Sequence, residues 1–178
     1  MDNNLSNVLL SNNVASYSKQ WMLPKWTIIW LIISLVIISW DVMFVLLRPA
    51  SFAHGSLGYL WIPYIKYVQI DTSYADLNNP FVTAQALMSL MENAIGIMGL
   101  YYYFFKKIKT ACLLIFSSQL LTCTKTILIF LLEIVSGFHN TGHNSLFDFT
   151  FYYFLPNFIW VVMPAIVVFT LGRLMISK

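Results

Sequence analysis

Residues 26–47 read WTIIWLIISLVIISWDVMFVLL, an unbroken apolar run whose only charge is Asp41. A bilayer core of about 30 Å takes roughly 20 apolar residues of helix, and this stretch meets that length. Three more stretches do the same: 81–105, 110–135 and 147–176. The last contains Pro156 and Pro164, which in a membrane helix produce a kink more often than an end. The composition agrees, since 59% of the 178 residues are hydrophobic and 10% are charged, with a mean hydropathy of +0.73. Soluble domains carry about 25% charged residues. The numbers therefore argue against a soluble enzyme, a disordered regulator and a nucleic-acid binder. The expected fold is an all-α membrane protein, a four-helix transmembrane bundle around an intramembrane cavity.

Residues 1–25 form a polar lead-in rich in Asn and Ser, with a short interfacial turn expected at 8–10. They lack the basic and apolar regions of a signal peptide. Residues 26–176 read as one membrane domain without repeats or an internal boundary, its only long loop covering about 48–80. Four spans put the amino terminus, the second loop and the carboxyl terminus on one side. That side holds Lys19, Lys25, Lys106, Lys107, Lys109, Arg173 and Lys178, and the other only Arg48 and Lys66. The positive-inside rule makes both termini cytoplasmic. Asn4-Leu5-Ser6 would then stay unglycosylated despite matching the acceptor pattern.

Ionisable groups inside a span each cost roughly 2.5–3.5 kcal/mol on insertion scales, so each needs a reason. Asp41, Glu92, Lys125 and Glu133 are the candidates. Glu133 stands two residues from its helix end and is expected to reach water. By helical rise, Glu92 lies about 16 Å from the outer end of its span, Lys125 and Asn157 about 15 Å, and Asp41 about 9 Å. One slab of the membrane thus receives polar groups from four helices. Faces sharpen this. Gln85, Ser89, Glu92, Gly96 and Gly99 form one stripe; Ser118, Thr122 and Lys125 form a second; Tyr153, Asn157, Trp160 and Pro164 form a third. A polar and aromatic interior follows.

Two carboxyl groups in a low-dielectric cavity can serve as acid and base. A Trp face can stabilise a transient carbocation through cation–π attraction. Together they suit alkene isomerisation with Asp41 and Glu92 exchanging the proton and Trp160 over the cation, a chemistry that uses no metal and no cofactor. The same groups also suit a non-catalytic lipid or amine binder. A third reading makes the buried charges a helix-assembly device only.

Ser39-Trp40-Asp41, Leu47-Arg48-Pro49, Pro63-Tyr64 through Asp71, and Met91-Glu92 occur in this order along the chain. Phe130-Leu131-Leu132-Glu133, Gly137-Phe138 and Asn157-Phe158-Ile159-Trp160 with Pro164 follow. Over about residues 37–168 this set resembles the EXPERA domain family, which includes the emopamil-binding-protein sterol isomerases of the endoplasmic reticulum and the four-span sigma-two receptor. The resemblance implies a compact membrane bundle with a cavity open to lipid, often as a homodimer. It assigns Glu92 and Asp41 as the membrane carboxylates, and Asn157 and Trp160 as lining for a sterol or cationic amphiphilic amine. The isomerase's histidine position is Ile37 here, and Lys125 has no counterpart. The implied location is the endoplasmic reticulum in a eukaryote and the inner membrane in a bacterium.

Gln85, Tyr153, Lys125 and Asp71 complete the expected ligand-binding set. Segment 61–67 (WIPYIKY) is expected to lie across the bundle mouth, as an interfacial stretch or a lid, with Asp71 ordering the loop. His139 and His143 have ligand-like spacing but bracket Asn140-Thr141-Gly142, so a solvated loop is expected rather than a metal site. Cys112 and Cys123 share one helix about 16 Å apart and cannot bridge each other.

Overall fold

The computed structural model describes residues 22–177. They contain no strand and four helices long and apolar enough to cross a membrane. These are α1 (Lys25–Leu46), α4 (Pro80–Phe104), α5 (Ile108–Val135) and α6 (Leu146–Ile176), with α2 (Tyr64–Ile70) and α3 (Thr72–Ala75) in the long loop. Each long helix starts and stops within two residues of its expected bounds. The turn expected at 8–10 and Asn4 lie outside the described residues.

Local chemistry sets the ends. Pro80 opens α4, and the Asn79 side chain accepts from the backbone N–H groups of Phe81 and Val82 at 3.0 and 3.3 Å. At the end of α5, Gly137 takes φ +68°. The N–H of Phe138 reaches back to the Glu133 carbonyl at 2.7 Å, and that of Gly137 to Ile134 at 3.2 Å. This Schellman turn satisfies the last carbonyls and folds the chain back over the helix end. In α6, residues Phe149–Phe154 form a π-helical turn. Pro156 explains its place, because a proline lacks the N–H and crowds the carbonyl four residues earlier.

The helix pairs that pack most extensively are α4 with α5, α5 with α6, and α1 with α4. Small residues permit the first, since a Cβ on Gly99 would stand 2.8 Å from Ile115 Cγ1. Polar bonds add to packing between spans. Asn93 donates to Leu35 O at 3.3 Å and Ser39 Oγ at 2.9 Å, joining α4 to α1, and Trp30 donates to Gln119 Oε1 at 2.8 Å, joining α1 to α5. One apolar cluster gathers Leu31, Leu35, Ile115, Val167 and Leu171, and another gathers Ile38, Val42, Phe44, Trp61 and Val82.

The loop 47–79 is tied down rather than loose. Arg48 donates to Tyr74 O at 3.0 Å, Asp76 O at 3.2 Å and Thr83 Oγ1 at 3.4 Å. Two indoles join α1 to the loop: Trp40 donates to Leu60 O at 3.1 Å, and Trp61 donates to Trp40 O at 2.9 Å.

Candidate functional site

A pocket of about 340 Å³ opens between the helices and is lined by Asp41, Lys125, Asn157 and Trp160 from three different spans. Pro63, Tyr64, Tyr67 and Tyr74 close one side, and Ile37, Ile38, Ile129 and Phe151 supply apolar wall. Segment 61–67 therefore contributes directly to the pocket as well as lying beside the spans.

Asp41 is the carboxylate on this wall. Tyr64 donates to its Oδ1 at 2.5 Å, and Tyr74 lies 3.3 Å from both oxygens. Burial holds the Tyr64, Tyr67 and Tyr74 phenols above their ordinary range, and the charge of Asp41 reinforces this at Tyr64 and Tyr74. They remain protonated and able to donate. Phe44 and Tyr64 rings at 4.2 Å, and Trp40 and Tyr64 at 5.2 Å, fix the phenol that reaches Asp41. Trp160 meets Trp30 at 5.2 Å, and Asn157 donates to Tyr153 O at 2.8 Å.

Glu92 lies behind this wall. Its Oε1 is 3.0 Å from Lys125 Nζ, and the two side chains are 1% and 9% exposed. Lys125 also donates to Ser89 Oγ, and Ser118 Oγ donates to the Glu92 carbonyl at 3.0 Å. Lys125 and Ser89 line the pocket, while Glu92 meets it only through them. The two carboxylates expected to share a substrate thus differ in access.

The other expected ligand groups fall elsewhere. Gln85, Tyr153 and Asp71 line a second, smaller chamber together with Glu133 and Asn140. Asp71 caps α3, its Oδ1 accepting from Ser73 N at 3.0 Å and from Ser73 Oγ at 2.5 Å. Burial pushes its carboxyl up to about 6 against those bonds, with the charges of Glu133 and Asp41 adding to the rise. Glu133 corrects an expectation: it does not reach water but is 4% exposed. Because the Schellman turn folds the chain back, Asn140 donates to its Oε1 at 2.6 Å and Thr141 to its Oε2 at 2.8 Å. His139 and His143 are exposed on the following turns, where the His143 ring meets Gln69 O at 2.7 Å.

Sequence reasoning missed Tyr74 as a partner of Asp41 and the chain-reversal that covers Glu133. The Gly137-Phe138 pair just past the apolar run was the available signal for the second. Comparison with protein-family models, curated proteins and solved structures gives no match.

Proposed function

We infer that the four spans form one bundle around an intramembrane cavity that binds a sterol or similarly apolar lipid, in the manner of the four-span EXPERA proteins. The observation that carries this reading is the pocket itself. Asp41, Lys125, Asn157 and Trp160 converge on a largely apolar, aromatic space, the pattern of a small-molecule site with a few orienting polar groups. Asp41, held by Tyr64, is the group that meets a ligand amine or hydroxyl, and Trp160 offers a face to a cation. Cationic amphiphilic amines are therefore ligands in the same reading. The basic loop and ends, Lys25, Lys106, Lys107, Lys109 and Arg173, support cytoplasmic termini. The endoplasmic reticulum of a eukaryote or the inner membrane of a bacterium, and a homodimer, are proposed on the resemblance alone.

A second reading is catalytic: isomerisation of a sterol double bond. It is favoured by the hydrogen-bonded contact of Lys125 with Glu92, which links the deeper carboxylate to the pocket. One face of the alkene would take a proton and a neighbouring carbon would lose one, with Asp41 as the exchanging group and Trp160 over the cation.

Heavy water separates the two. Purified protein is incubated with a sterol carrying a ring alkene, and the product is read by mass spectrometry. An unchanged sterol that still protects the protein against heating supports the binder. A shifted double bond carrying one deuterium, lost in Asp41→Asn while that variant still unfolds at the same temperature, supports the isomerase. Neither protection nor turnover removes both.

A further inference from the structure

The small chamber beside the main pocket holds polar groups that the fold itself does not use. The side-chain amide of Gln85 has no hydrogen-bond partner on either its nitrogen or its oxygen, and the Tyr153 hydroxyl has none, among the described residues. Tyr153 is 1% exposed, and its ring is set by Phe130 at 6.0 Å and Phe149 at 5.5 Å. Its hydroxyl is therefore fixed in place on the chamber wall beside Gln85 and Asp71. Leaving a buried donor or acceptor unmade is costly, so a group that answers these three is called for.

The chemistry of the unmet atoms narrows what fits. Gln85 offers one acceptor and donors together, and Tyr153 offers one of each. Asp71 has Oδ1 committed to Ser73. A hydroxyl, which both donates and accepts, can answer Gln85 and Tyr153 together, whereas an ammonium would meet the carboxylates of Asp71 and Glu133 on the same wall and leave the Gln85 donors unanswered. The chamber is about 30 Å³, room for one or two oxygen-sized groups but not for a ring. Tyr74 and Ile129 are common to its wall and to that of the main pocket, so the two spaces adjoin.

We propose that this chamber is a hydroxyl subsite: Gln85 and Tyr153 take the alcohol group of a lipid whose hydrocarbon body fills the main pocket, entering between Tyr74 and Ile129. The proposal rests on the lipid-binding reading above and adds to it the two side chains that take the ligand's hydroxyl. A water molecule has the same chemistry, and the test separates the two sources.

Cholestanol and cholestane have the same carbon skeleton with and without the hydroxyl. Binding of each to the purified full chain in detergent is measured by thermal shift and by displacement of a fluorescent sterol. The expected result is roughly tenfold tighter binding of the alcohol. Gln85→Leu and Tyr153→Phe should each abolish most of that preference while leaving cholestane binding within threefold. Equal binding of both lipids to the unaltered chain, a comparison that needs no variant, means that the chamber holds only water and overturns the subsite while the lipid pocket stands. A preference for the alcohol that survives both variants also overturns it. Binding of neither lipid removes the lipid-binding reading and the subsite with it.

Discussion

Lys125 and Glu92 face each other across α5 and α4 at 3.0 Å with their side chains 9% and 1% exposed, so each is the other's reason for being in the span. Removing one member of a buried pair costs about 3–5 kcal/mol, whereas replacing both by apolar groups of similar volume is often neutral. Lys125→Met alone should lower stability by that amount, and Lys125→Met with Glu92→Leu should recover most of it. Thermal unfolding of the purified variants checks this. A double variant as unstable as the single one would mean that the pair is not what holds the helices.

Asp41 should govern the choice among ligands without governing the fold. Asp41→Asn keeps an oxygen for the Tyr64 hydroxyl and removes the charge. A cationic amphiphilic amine should bind at least tenfold more weakly, and a neutral sterol within threefold of before. Competition binding measures both. Equal loss for the two ligands would show that Asp41 orders the pocket rather than meets the ligand.

Gly99 lies where α4 packs directly against Ile115 of α5. A methyl group there would stand 2.8 Å from Ile115 Cγ1 and 3.3 Å from the Ile115 nitrogen, so the helices must part. Gly99→Ala should cost about 1–3 kcal/mol, despite alanine's better helix propensity. Unfolding midpoints in detergent, compared with a Gly172→Ala control that would meet only Phe116 at 3.5 Å, report the difference.

Asp71 gives a pH dependence with a definite sign. Its folded-state value of about 6 lies above the ordinary 3.8, so between those values the native state holds a proton that the unfolded chain has released. Stability therefore falls as pH rises through that window, by up to about 3 kcal/mol, and levels off above it. Asp71→Asn, which keeps an acceptor for Ser73, should flatten the profile. Unfolding temperature measured across pH 4 to 7, roughly the span of the two values, gives the answer.

Much of the fold was legible because it depends on length and punctuation. Apolar runs of membrane length locate the spans to within two residues. The stripe of Ser89, Glu92, Gly96 and Gly99 is buried as its spacing requires. The buried face of that helix was therefore readable, but which space each residue on it lines was not. Gln85 and Tyr153 share stripes with pocket residues yet line the separate chamber, because a stripe along a helix crosses from one space to the next. Glu92 lies behind Lys125 because the longer side chain occupies the wall. The phenols on Asp41 come from 23 and 33 positions away, and no local periodicity encodes such contacts. Glu133 looked solvent-reaching from its place at a helix end, and only the reversed chain at Gly137 covers it.

The central claim is that the space bounded by Asp41, Asn157 and Trp160 is where a lipid binds. A photoactivatable sterol, irradiated with the purified chain and mapped by peptide mass spectrometry, tests it directly. The account predicts adducts on pocket residues such as Ile38, Tyr64, Asn157 and Trp160, suppressed by excess unlabelled sterol. Adducts confined to outward-facing residues such as Val36, Met91 and Phe169, unaffected by competitor, would contradict it.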